Sequence, residues 1–170
     1  MDDAQRWVPP HSTEAEQSVL GALLLDNNAH DSVADTLVPG DFYRAEHRLI
    51  YRALCELVAR GKPADMITVH EWLVAAGQAD DAGGLRYLNE LMSSVAGVAN
   101  VRSYAEIVKR RARERGAVAL FQALADDARG LGGDAAALDA LIDRAGAALI
   151  ALQNGTSSDE PTRLAELLVP

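Results

Sequence analysis

The chain has 170 residues, 49% of them apolar but only 5% aromatic, and a formal net charge of −9. That apolar share excludes a disordered segment, the length allows one domain or a small domain with an appendage, and the acidic balance argues against general affinity for phosphates. A lone cysteine, Cys55, excludes an internal disulfide and a cysteine-built zinc site. No stretch of roughly 18 apolar residues occurs, and "MDDAQRWVPP" lacks a basic segment followed by an apolar one. A cytoplasmic location without membrane contact is expected.

Alanine dominates the apolar set, and alanine is the best helix former because it loses no side-chain entropy. The expected fold class is therefore all-α. Residues 1–11 read as an N-terminal arm anchored by Trp7. Thr13 and Glu16 have capping-box spacing, and Ala15, Val19, Leu20, Leu23 and Leu24 then recur along one helical face. Gly21 inside that helix costs about 1 kcal/mol relative to alanine, which a close helix crossing would explain. A short helix is predicted over 28–38, stopped by "PGD", and a longer one over 44–60. "KPADMI" reads as an extended connector. Thr68 and Glu71 form a second capping-box pattern opening a helix to Ala76, and a further helix is predicted over 85–94. These pieces make a globular helical subdomain over 12–98.

The second part differs in texture. No proline occurs between Pro63 and Pro161, so long helices are allowed there. Asn100 is a good N-cap, and the pattern from Val101 to Arg129 sustains a helix of roughly 40 Å. "GLGGD" turns the chain. Residues 135–153 form a second helix with Leu138, Leu141, Ile142, Ala145, Leu149 and Leu152 at heptad-like spacing. The two make an antiparallel hairpin over 99–153. Such a pair covers only one stripe of each helix. Its remaining apolar residues either fold back on the globule or meet a partner, and Val118, Leu120, Phe121, Leu124, Leu138, Leu141, Ile142 and Leu149 are the candidate contact residues. Residues 154–170 read as a linker, "QNGTSSDEPTR", entering an apolar helix that breaks off.

Chemistry is sparse. No phosphate-binding glycine loop is present, because the only Gly-Lys pair, Gly61-Lys62, is followed by Pro63. "HEWLV" starts like a zinc-protease motif but has Val74 where the second histidine belongs. Asp41, Glu46 and His47 in "DFYRAEH" have the types of an acid/base unit, yet no nucleophile stands near them in sequence. No catalytic residue, metal site or cofactor site is assigned. The residues describe a binding or assembly domain.

Several blocks in fixed order carry a resemblance. "VPPHSTEAEQSVLGALLLD", "DFYRAEHRLIYRAL", "PADMITVHEWL" and "NVRSYAEIVKRRARER" together resemble the N-terminal domain of the DnaB-type bacterial replicative DNA helicases. The resemblance spans about residues 8–115; each block is generic alone, and the alanine-rich hairpin matches in pattern only. It implies a globular helical domain followed by a protruding hairpin. It further implies that hairpins of neighbouring subunits pair, that three such dimers build a collar on a ring of six, and that the collar recruits the C-terminal domain of primase. A helicase loader is a further partner of that kind. "EPTRLAELL" resembles the start of the linker to a RecA-like motor domain, which would hold ATP and Mg and most of the DNA contacts and which this chain lacks. A free-standing helical adaptor that binds a replication protein is the competing reading.

One feature is unresolved by composition. Five of the sixteen Lys and Arg residues fall in the seven positions of "KRRARER", residues 109–115. The run lacks the interleaved aromatics that stack on bases. Glu106 and Glu114 stand four residues on either side of Arg110, the spacing of helical ion pairs. The run is either a solvated or subunit-contacting helix or a DNA contact. Arg110 and Arg113 are the candidate inter-subunit charge contacts.

Overall fold

The computed structural model describes residues 7–95 and 97–153, and every regular element among them is helical. In order they are α1 (Thr13–Leu25), α2 (Ala45–Ala59), α3 (Met66–Ala75), α4 (Gly84–Ser94), α5 (Val101–Gly130) and α6 (Ala135–Gln153). Two short 3-10 turns, Asn27–Ser32 and Pro39–Asp41, fill the stretch between α1 and α2. The linker expected over 154–170 and the first six residues of the arm lie outside the described residues.

The described residues divide into two compact units, one spanning His11–Ala112 and the other made of residues 7–10 with 113–153. The expected division fell at residues 98–99. Val101, Ala105 and Val108 are buried in the first unit's core, which is why the first three turns of α5 belong to it.

In the first unit α1 packs between α2 and α4, and Val19, Leu20, Leu23, Phe42, Ile50, Leu54, Leu73 and Leu88 form the core. Gly21 sits where α1 crosses α4. A Cβ there would stand 2.3 Å from the Leu91 carbonyl oxygen and 2.4 Å from Val95 Cγ2, so only glycine lets the backbones approach. The close crossing expected from the sequence is present.

Both capping boxes are corrected. α1 is capped by Ser12, whose Oγ accepts from the Ala15 N–H at 3.3 Å, and Thr13 is already helical. α3 is capped by Asp65 rather than Thr68 and starts at Met66, three residues earlier than predicted, because Asp65 Oδ1 accepts from the Ile67 and Thr68 N–H groups, both at 2.9 Å. An aspartate outcompetes a threonine as acceptor because its oxygens are charged. The helix predicted over 28–38 is not continuous either. Asp26 caps a 3-10 turn through the Asn28 N–H, and short polar side chains there hold the backbone out of the α-helical pattern.

The connector before α3 is pinned by Asn27. Its amide donates to the Leu23 and Ala64 carbonyls, both at 3.1 Å, while its oxygen accepts from the Ala64 N–H at 2.8 Å. Nothing in the sequence pattern announced this clamp.

In the second unit, Gly132 (φ 57°) and Gly133 (φ 92°) turn the chain between α5 and α6, and Asp134 Oδ1 caps α6 through the Ala136 and Ala137 N–H groups. Asp127 pairs with Arg144 at 3.3 Å, and Arg113 donates to the Leu152 carbonyl at 3.5 Å. Those pairings make the helices antiparallel. Trp7 does not anchor the arm: it is 59% exposed. Arg115 holds the arm instead, donating to the Pro10 carbonyl at 2.8 Å.

Candidate functional site

Three places gather chemistry or exposed apolar surface. The first is buried. Glu16 and His47, 1% and 0% exposed, meet at 2.6 Å through Oε2 and Nδ1. His47 Nε2 lies 2.6 Å from Tyr87 Oη, and Gln17 Nε2 donates to that oxygen at 3.3 Å. The Tyr43 and Arg44 N–H groups, at 2.8 and 3.4 Å, complete the shell around Glu16. A carboxylate oxygen can only accept from an imidazole N–H, so Nδ1 faces its acceptor, Gln17 donates to the Tyr87 oxygen, and the direction of the Nε2–hydroxyl bond follows the tautomer. Each side chain of this network then has a hydrogen-bond partner. The network ties α1, α2 and α4 together.

The acid/base grouping suggested by "DFYRAEH" is taken apart by the fold. Asp41 pairs with Lys109 at 3.0 Å and accepts from the Val38 N–H at 2.9 Å. Glu46 pairs with Arg44. Burial pushes the Glu46 carboxyl up, but its own backbone N–H and the Arg44 guanidinium outweigh it and hold it below its usual range. His47 goes to Glu16 alone among the carboxylates. Glu16, which the sequence reading assigned to a cap, was missed. Its one signal was position: it shares a helical stripe with Leu20 and Leu23, where a carboxylate is out of place unless paired.

Beside Tyr87 an open cleft of about 450 Å³ is lined by Arg44, Glu46, Asp80, Asp81, Arg86 and Glu90, among others. Its arginines are already engaged, Arg44 with Glu46 and Arg86 with Glu90 at 2.9 Å. Among the described residues no group of three His, Cys, Asp or Glu side chains is placed to hold a metal ion. Burial pushes the Cys55 thiol up, away from the reactive thiolate.

The second place is the basic run, and the fold distributes it. Lys109 goes to Asp41, Arg113 to the Leu152 carbonyl near the end of α6, and Arg115 to the Pro10 carbonyl. A cation near a helix C-terminus also meets the negative end of the helix dipole. Arg110 is exposed and makes no ion pair among the described residues, so its expected pairing with Glu106 and Glu114 is absent.

The third place is the hairpin surface. Leu120 and Leu141 are 9% and 6% exposed, so the chain itself covers them. Val118 and Leu124 are half-buried. Phe121, Leu138, Ile142 and Leu149 are open, with Phe121 55% and Ile142 59% exposed. Phe121 follows the buried Leu120, and Ile142 follows the buried Leu141, each by about 100° of helix rotation. In antiparallel helices equal steps from the inward line turn both side chains to the same side. Leu138 and Leu149 share the Ile142 stripe, so one face of the hairpin is apolar and exposed. The eight candidate residues thus split into an inner seam and an outer face.

The described residues thus form a helical globular unit and a two-helix hairpin with an exposed apolar face. Residues 8–110 match the DnaB-like helicase N terminal domain family, and the chain belongs to that family. It is 34% identical over 167 residues to the replicative DNA helicase DnaB of Haemophilus influenzae, covering 97% of this chain and 35% of that protein. It is 46% identical over 108 residues to the DnaB of Pasteurella multocida, covering 64% and 23%. The chain thus spans about a quarter to a third of the curated relatives it matches. The crystal structure of the N-terminal domain of DnaB helicase from Mycobacterium tuberculosis matches with a TM-score of 0.79 at 38% identity, covering 84% of this chain and 99% of that one. A DnaB-like replicative helicase whose structure was described with its interactions with primase matches at TM-score 0.67 and 23% identity, over 86% of this chain and 32% of that one. At that identity the likeness is one of fold.

Proposed function

We propose that this chain is the non-catalytic assembly and primase-docking part of a hexameric replicative DNA helicase. The observation that carries the reading is the apolar hairpin face of Phe121, Leu138, Ile142 and Leu149, exposed in a chain whose globular unit has its own closed core. A soluble protein keeps such a face for a partner. Hairpins of two copies cover each other, three pairs build a collar on a ring of six, and Arg110 and Arg113 supply charge contacts between subunits. The parent protein unwinds duplex DNA in the cytoplasm with ATP and Mg held in a motor domain beyond this chain, and that motor makes most of the DNA contacts. The C-terminal domain of primase docks on the collar, and a helicase loader engages the same protein. The absence of a phosphate-binding loop from the sequence and the family membership support that division of labour.

Calorimetric titration of the chain with the C-terminal domain of the cognate primase tests the docking claim. Saturable heat with a defined stoichiometry is expected. An absence of heat, both with the chain alone and with a collar assembled from the full-length protein, overturns it.

A further inference from the structure

The sequence places no nucleophile near His47, but the fold brings one to it. Tyr87 Oη on α4 lies 2.6 Å from His47 Nε2, and Glu16 Oε2 on α1 lies 2.6 Å from Nδ1. All three residues belong to the unit His11–Ala112. A hydroxyl within hydrogen-bond reach of an imidazole, itself oriented by a carboxylate, is the arrangement that activates a weak nucleophile. In the neutral tautomer with its proton on Nδ1, Nε2 is a bare acceptor for the hydroxyl proton. Gln17 Nε2 donates to the same oxygen at 3.3 Å, where negative charge develops as the proton leaves.

Burial decides which of these groups can meet a reagent. His47 and Glu16 are 0% and 1% exposed, so neither reaches solvent. Tyr87 is half-buried and lines the open cleft of about 450 Å³. The cleft also selects by charge. Arg44 and Arg86 are paired with Glu46 and Glu90, which leaves the carboxylates of Asp80 and Asp81 in excess. A polyphosphate donor is repelled there, and an uncharged one is not.

We infer that Tyr87 is an acyl-acceptor site, at which His47 serves as general base and Glu16 as its positioning residue for transfer from an uncharged, activated ester. The bond from Tyr87 Oη to the ester carbonyl carbon forms as His47 Nε2 takes the hydroxyl proton. The bond from that carbon to the ester's bridging oxygen then breaks, and its electron pair leaves with that oxygen. The imidazole returns the proton to the departing group. The products are O-acyl-Tyr87 and a free alcohol or phenol. A base so placed contributes about 100- to 10,000-fold.

Treating the whole chain with 4-nitrophenyl acetate, and locating acetyl groups on tryptic peptides by mass spectrometry, tests this. Tyr104 is the internal standard, because it is also half-buried and its hydroxyl makes no hydrogen bond among the described residues. In the folded chain Tyr87 is expected to be acetylated at least about tenfold faster than Tyr104. In concentrated urea the ratio is expected to fall to about one, since the imidazole is then no longer beside the hydroxyl. His47→Gln is expected to bring Tyr87 down to the Tyr104 rate while the helical circular dichroism is kept. Equal labelling of the two tyrosines in the folded chain overturns the inference, as does a ratio that survives urea or a His47→Gln protein that labels like wild type. The comparison of folded and urea-treated wild type decides the matter even where His47→Gln does not fold.

Discussion

Glu16 on α1 and His47 on α2 share a buried hydrogen bond of 2.6 Å in the globular unit, and Tyr87 on α4 closes the chain from the other side of the imidazole. This is a hydrogen-bonded polar node in a mostly apolar core. Removing one member strands the others, because a buried donor without an acceptor loses its hydration for nothing. Glu16→Ala leaves the imidazole N–H and the Tyr43 and Arg44 N–H groups without their acceptor. A loss of about 3 kcal/mol in urea denaturation is expected. Tyr87→Phe removes only the hydroxyl and is expected to cost about 1 kcal/mol. Equal effects from the two substitutions would contradict this ordering.

The α1–α4 crossing makes a sharper steric prediction. In Gly21→Ala the new methyl meets a backbone carbonyl, which cannot rotate away as a side chain can. The helices must separate, at about 1–3 kcal/mol. Gly146→Ala is the control: it meets nothing within 4 Å, and replacing a mid-helix glycine stabilises by up to about 1 kcal/mol. Thermal melts of the two variants should move in opposite directions.

Asp65 gives the α3 start a dependence on pH. Hydrogen bonding from the Thr68 N–H, helped by the Thr68 hydroxyl and the Ile67 N–H, holds its carboxyl below the ordinary range despite the opposing effect of burial. A lowered folded-state pKa means the contribution is present above the unfolded value, about 3.9, and is lost as pH falls through the folded one. Asp65→Ala should therefore cost about 1 kcal/mol at neutral pH and progressively less below about pH 4. A constant difference between the two proteins from pH 7 to pH 2 would refute the cap as its cause.

The hairpin's inner and outer leucines separate stability from assembly. Leu141→Ala empties a covered position and is expected to lower the chain's own stability by about 2–5 kcal/mol. Phe121→Ala trims an exposed ring, so stability in dilute solution should hold while self-association weakens. Unchanged self-association in Phe121→Ala would remove this face from the interface.

Much of the helical plan was legible because it is periodic. α2, α4, α5 and α6 lie within about a residue of their predicted limits, since apolar spacing, a glycine stop and an unbroken proline-free stretch are local signals. The starts of α1 and α3 were misread because two nearby residues could each cap, Ser12 or Thr13 for α1 and Asp65 or Thr68 for α3, and the winner depends on which side chain the rest of the fold leaves free. Glu16 shows why: its spacing fits a cap, but burial beside His47 claims its carboxylate.

The functional surface divides along the same line. Composition, helix periodicity and the ordered blocks around "AEQSVLG" determined an all-helical domain of the replicative helicase type, since those properties reside in neighbouring residues. Which of the basic side chains are committed within the chain, and which of the eight hairpin residues face outward, could only be decided in three dimensions. Lys109 finds Asp41, Arg115 finds Pro10, and Leu120 and Leu141 turn inward while Phe121 and Ile142 do not. A pairing between residues tens of positions apart depends on where the chain returns in space, and the spacing of side chains along one helix carries no record of that return.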